Sequence, residues 1–113
     1  MATIQGGPLI TPVRLAASST TLYTSTSCRT RIDQATTANP TAVDRLVTLY
    51  LVESGGAVGD PTTIAYQRTV FAGQTAIWDE LVGHWLSDGW TIRGLCDSAD
   101  KVNIMMSGVK FPK

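Results

Sequence analysis

The sequence predicts an all-β domain, a β-sandwich or jelly roll of about seven or eight short antiparallel strands. Three observations carry this reading. In the run from Leu46 to Val52, Val47, Leu49 and Leu51 share one face and Leu46, Thr48, Tyr50 and Val52 the other, because successive strand side chains point to opposite sides. Similar short runs return about every ten residues, punctuated by Gly, Asn and Pro. Thr is the commonest polar residue, and it favours strands and turns over helices.

The elements follow in order. Residues 1–19 read as an extended N-terminal arm, and 20–113 as the sandwich. Gly6-Gly7-Pro8 and Thr11-Pro12 break any helix or regular ladder among Ile4, Leu9, Ile10, Val13 and Leu15, so these apolar residues must lie on something else. They either cover their own domain or cross to a neighbour, adding a strand or filling a groove. A short strand at 18–24 ends in a turn at Ser25-Thr26-Ser27. From Cys28 to Thr36 the chain alternates, with Cys28, Thr30 and Ile32 on one side and Arg29, Arg31 and Asp33 on the other. Thr37-Ala38-Asn39-Pro40 is a turn before the central strand, which stops at Gly55-Gly56. Thr62 to Phe71 is a further strand with Ile64, Tyr66 and Val70 on one side, closed by Ala72-Gly73-Gln74.

The segment 75–86 has two readings. Apolar residues at 77, 78, 81, 82, 85 and 86 fit an amphipathic helix. Gly83, the short length and the strand-like flanks favour strand, turn and short strand. After a turn at Ser87-Asp88-Gly89, Trp90, Ile92 and Cys96 share a face of the next strand. Asp97 to Asp100 turns again, and Lys101 to Phe111 is the last strand, with Val102, Ile104 and Met106 alternating with Asn103, Met105 and Ser107.

Length and charge bound the function. At 113 residues the chain is one domain with room for one core. Formal net charge is zero and only 16% of residues are charged, which argues against nucleic acid and anionic membranes, since both call for clustered Lys and Arg. So few charges imply a surface partly covered by another copy or another protein. The opening Met-Ala-Thr-Ile-Gln-Gly-Gly-Pro has no basic segment and no long apolar stretch, so the expected site of synthesis and residence is a cytoplasm, without a secretory leader or a membrane span. The two cysteines, Cys28 and Cys96, lack metal-site spacing, and a disulfide between them belongs to the case of a secreted domain.

No catalytic pattern emerges, and the expectation is a non-enzymatic protein with no cofactor, metal or small-molecule substrate. His84 is the only histidine. On a helix Glu80 and His84 would sit at i and i+4, as metal ligands can, but a turn or surface histidine explains it as well. Asp60, Asp88, Asp97 and Asp100 lie in turns, where short carboxylates bond backbone amides. The Gly-rich run Ser54 to Gly59 lacks the Lys-Ser/Thr ending of a phosphate loop. Trp78, Trp85 and Trp90 crowd thirteen residues. Trp90 reads as core, whereas Trp78 and Trp85 are candidates for an aromatic docking patch, since Trp is enriched at interface centres.

The order of strands and spacers resembles that of small tailed-bacteriophage virion proteins. The resemblance runs through Thr21-Leu22-Tyr23-Thr24, Arg31-Ile32-Asp33, Thr36-Thr37-Ala38-Asn39 and Val47-Thr48-Leu49-Tyr50-Leu51-Val52 with Gly55-Gly56. It continues through Val70 to Gly73, Glu80-Leu81-Val82-Gly83, Asp88-Gly89-Trp90-Thr91-Ile92 and Met106-Ser107-Gly108-Val109, covering about residues 20 to 110. Ser25-Thr26-Ser27 and Ser87-Asp88-Gly89 depart from the family's usual turns. The resemblance implies a sandwich or jelly roll that oligomerises on the virion as a capsid decoration or cement protein, binding the major capsid protein and other copies of itself. A tail or fibre component is the alternative it also implies, and a carbohydrate-binding sandwich is the rival use of exposed Trp. On this reading the arm residues Ile4, Leu9, Ile10, Val13 and Leu15 dock on the partner, and removing residues 2–15 leaves a folded domain that no longer binds particles.

Overall fold

A computed structural model describes residues 4–112. Among the described residues nine strands form two antiparallel sheets: β1 (Gln5–Arg14), β2 (Thr20–Thr24), β3 (Cys28–Ala38), β4 (Arg45–Val52), β5 (Thr63–Val70), β6 (Thr75–Ile77), β7 (Trp85–Leu86), β8 (Thr91–Cys96) and β9 (Asn103–Pro112). One sheet has the order β1-β9-β3-β6, with β7 pairing beside β6 along the same side of β3. The other has the order β2-β8-β4-β5.

The pairing is nested. β1 pairs with β9, β2 with β8, β3 with β6 and β7, and β4 with β5, as in one long hairpin. Rolling that hairpin lays β9 against β3 and β8 against β4, which joins the nested pairs into two sheets. Counting β6 and β7 as one interrupted strand, this is the eight-stranded jelly-roll order. The all-β sandwich predicted from sequence is the fold.

The core lies between the sheets. Val47 and Leu49 of β4, Ile32 and Ala35 of β3, Ile92 and Cys96 of β8, and Ile104 and Met106 of β9 are all buried in it. Within the second sheet Gly94 of β8 pairs with Leu49 of β4, and a Cβ there would lie 2.6 Å from Leu49 Cδ2. At Gly108 of β9 a Cβ would land on the Arg31 carbonyl oxygen. Only glycine lets β9 pack against the β3 backbone there.

Bulges shift the simple alternation. On β3 Ile32 faces Gly108 and Gln34 faces Ser107, so Asp33 is an extra residue. Cys28, Thr30 and Ile32 point inward as expected, but beyond the bulge Ala35 and Thr37 do. On β5 Val47 faces Arg68 while Leu49 faces Ala65, so Tyr66 and Gln67 of β5 both oppose Thr48 of β4. Gln67 takes a φ of 47° there and donates its N–H to Thr48 Oγ1 at 3.0 Å. The phase change buries Ala65 and Val70 and turns Tyr66 outward, correcting the expected face of Ile64, Tyr66 and Val70.

The stretch expected as an arm is, over its described part, extended strand β1 paired with β9. Pro8, Pro12 and two register shifts fit there because β1 is an edge strand, where an N–H can be missing without breaking a ladder. Ile10 and Leu15 enter the core, and the Leu15 N–H donates to the Val102 carbonyl at 2.9 Å. Deleting residues 2–15 therefore removes a strand and core side chains together with any docking surface.

Segment 75–86 is strand, turn and short strand. The apolar residues that would line one side of a helix are divided between two environments: Trp78, Leu81 and Leu86 are buried, while Ile77, Val82 and Trp85 are exposed. Backbone bonds from Trp78 N–H to the Ala35 carbonyl and from Gly83 N–H to the Ile32 carbonyl tie the loop into the gap between β6 and β7. Gly83 has a φ of 87°.

Candidate functional site

The outward face of the β1-β9-β3-β6 sheet is built from residues that alternate with the core. Leu86 and Thr30 face each other and are buried, so their neighbours Trp85 and Arg31, also paired, lie on the outer side. Ile32 and Gly108 are buried in register, which places Arg31 and Val109 outward as a pair. Likewise Thr37 and Ile104 point in, and Thr36 meets Ile77 on one side and Met105 on the other. Across this face run the rows Ile77–Thr36–Met105, Gln34–Ser107–Pro8, Trp85–Arg31–Val109 and Arg29–Phe111.

Large apolar side chains are exposed on this face among polar ones. Ile77 is 54% exposed, Met105 48% and Trp85 44%, with Val109 and Phe111 half-buried among them. Trp85 and Phe111 lie with ring centroids 5.2 Å apart, and the guanidinium of Arg29 sits over Trp85 at 5.3 Å. That of Arg31 reaches both rings at 5.9 and 5.8 Å and bonds Asp33 at 2.8 Å.

The residues proposed from sequence are split by the fold. Trp78 is fully buried, with its Nε1–H donated to Thr37 Oγ1 at 2.8 Å and the Arg68 guanidinium over its ring at 4.7 Å. It belongs to the core, so of the aromatic patch only Trp85 is at the surface. Among the arm residues Ile10 and Leu15 are core, Leu9 packs against it, and only Ile4 and Val13 are exposed. Leu9 and Val13 border an open groove of about 290 Å³ beside β2, and a groove of about 440 Å³ lies on the opposite flank between Arg68, Phe71 and Ile77. His84 is an exposed turn residue, and no group of metal-binding side chains occurs among the described residues.

Sheet edges are poor docking points here. β1 carries two prolines and two register shifts, β2 is five residues long, β5 is bulged twice, and the β6–β7 edge is interrupted. Short, bulged and broken edges are what keeps a sheet from pairing with another chain. Addition of a further strand to either sheet is thus disfavoured.

The second face of β4, left open by its sequence, is partly covered by the chain itself. Val52 is buried against the turn at Glu53–Gly56, where a Cβ on Gly56 would meet Val52 Cγ1 at 3.2 Å. Leu46 and Tyr50 remain half-buried.

A polar cluster closes one end of the sandwich. Ser25 Oγ donates to the Cys28 carbonyl at 2.8 Å and shares a hydrogen bond with Thr30 Oγ1 at 2.9 Å, which in turn meets Tyr23 OH at 2.9 Å. Burial works to raise the Cys28 thiol, but hydrogen bonds from Ser25 and Thr30 and the charge of Lys110 outweigh it, and its pKa lies below the ordinary thiol value. Burial raises the phenol of Tyr23 and the thiol of Cys96. Both cysteines are free: Cys28 pairs with Pro112 at one end of its sheet, and Cys96 lies at the opposite end of β8 from Thr91, the neighbour of Thr24. None of these buried hydroxyls stood out in the sequence, because Thr and Ser are so common in it.

The fold and its outer face define a jelly-roll domain with an apolar, Arg-flanked sheet surface. No protein family model matches the chain, and comparison with curated proteins and with solved structures finds no match.

Proposed function

We propose that this chain is a non-enzymatic structural protein of a tailed-bacteriophage particle that attaches to neighbouring capsid subunits through the outer face of the β1-β9-β3-β6 sheet. The observation that carries the adhesive reading is the row structure of that face, with Ile77, Met105 and Trp85 exposed on a regular sheet whose edges are blunted. Strand spacing and rise give it roughly 600 Å² of projected area, near the roughly 800 Å² per partner of a standard interface. Burial at about 25 cal/mol per Å², repeated over symmetric copies, supplies affinity without a deep pocket. The phage setting rests on the resemblance of the strand and turn order, and the low surface charge agrees with a face that is normally covered.

The test is fractionation followed by rebinding. Separated heads and tails of the encoding phage are assayed for the chain, and purified chain is then added back to heads that lack it. The reading expects the chain in heads and saturable rebinding. Its presence in tails alone would replace capsid decoration with a tail role.

A further inference from the structure

Resting on that reading of the outer face, we propose that Arg29, Arg31, Trp85 and Phe111 form its anchor, and that the occupant is a carboxylate-bearing segment of a protein partner flanked by apolar residues. The four side chains come together by register: Arg29 is opposite Phe111 across β3 and β9, and Arg31 is opposite Trp85 across β3 and β7. Each guanidinium lies within 6 Å of a ring centroid. Stacking of this kind pre-organises the planar N–H fork that binds a carboxylate at two points.

The two arginines differ in what they have left to bind. Arg31 is engaged by Asp33 at 2.8 Å. Arg29 is exposed and has no carboxylate within ion-pair distance among the described residues. The cluster therefore holds one more cation than anion beside a half-exposed Trp, and Trp and Arg are the residues in which interface energy concentrates.

Charge also sorts the occupants. A nucleic acid calls for a track of cations along successive phosphates, and this face offers one unengaged guanidinium on a chain of zero net charge. A second copy of the same face would bring the same surplus positive charge. An acidic protein segment complements Arg29, and its apolar flanks complement Val109 on the Arg31 row and Met105 two rows beyond it.

The test titrates the full chain with three probes and follows the indole N–H resonance of Trp85. The probes are a ten-residue peptide alternating Glu and Val, its counterpart with Gln for Glu, and a ten-nucleotide oligo-dT. The proposal expects the Glu peptide to move the Trp85 resonance and to bind at least about fivefold more tightly than the Gln peptide. Arg29→Gln should abolish that preference and Arg29→Lys should restore part of it. Equal binding of the two peptides at Trp85, with the preference absent from the start, overturns the carboxylate assignment and leaves the face as an adhesive surface. No shift with either peptide at millimolar concentration overturns both. Tighter binding of oligo-dT, or a concentration-dependent Trp85 shift without any probe, assigns the cluster to nucleic acid or to self-association and overturns the proposal.

Discussion

Replacing Asn39 with alanine should cost the domain about 2–3 kcal/mol, because one buried amide holds together the loop between β3 and β4 and the end of β5. Asn39 is 1% exposed. Its Nδ2 donates to the Val43 carbonyl at 2.8 Å and the Val70 carbonyl at 2.9 Å, while Oδ1 accepts from Thr41 N–H at 3.0 Å and Thr41 Oγ1 at 2.6 Å. Alanine removes every one of these partners at once. Val70 is buried, so its carbonyl loses a partner where water has little access, at about 1–2 kcal/mol; Val43 and Thr41 are more open and rehydrate at about 0.5 kcal/mol each. Urea unfolding followed by tryptophan fluorescence reads the difference. With a slope of about 1–3 kcal/mol per molar, the midpoint should fall by about 0.7–3 M at unchanged slope. A shift below about 0.5 kcal/mol would refute the idea that this amide is a structural hub.

Further outcomes come from the same geometry. Gly108→Ala should destabilise by at least about 3 kcal/mol, or prevent folding, because its Cβ meets backbone at Arg31; Gly94→Ala should cost about 1–2 kcal/mol, since the Leu49 side chain can give way, and thermal unfolding ranks the two. Trp78→Phe removes the bond to Thr37 and part of the buried ring beneath Arg68, and should lower stability by about 2–3 kcal/mol in the same urea assay. For Cys28 the lowered folded pKa means that, between that value and the ordinary thiol value, the unfolded chain holds a proton the folded chain has lost. Its contribution to stability therefore rises with pH through that window and is absent below it. Comparing wild type with Cys28→Ala from neutral to alkaline pH isolates this rise from the opposite contribution of Cys96, whose raised thiol loses stability as pH climbs. A flat difference between wild type and Cys28→Ala would contradict it.

Much of the fold is legible from alternation alone. The inward positions of Cys28, Thr30 and Ile32, of Val102, Ile104 and Met106, and of Val47 and Leu49 follow from period two. Concealment begins at the bulges: Asp33 and Gln67 look like ordinary strand residues, yet each insertion reverses the facing of the residues beyond it. β1 is hidden for a related reason, since prolines and glycines that exclude a central strand are tolerated at an edge. Segment 75–86 is ambiguous because a strand, a turn that tucks Leu81 inward and a short second strand reproduce helical spacing by coincidence. The candidate face was only partly visible. Trp85 could be named, but its association with Arg29, Arg31 and Phe111 depends on the pairing of three strands far apart in the chain.

The central claim is that the outer sheet face adheres to the particle, and co-sedimentation of point variants with purified heads tests it most directly. Ile77→Asp, Met105→Asp and Trp85→Asp each place a charge at a solvent-exposed position, so the far-ultraviolet circular dichroism of the folded domain should be unchanged. The account predicts that wild type pellets with heads while each variant stays largely in the supernatant. Variants that fold normally and pellet as wild type does would contradict it.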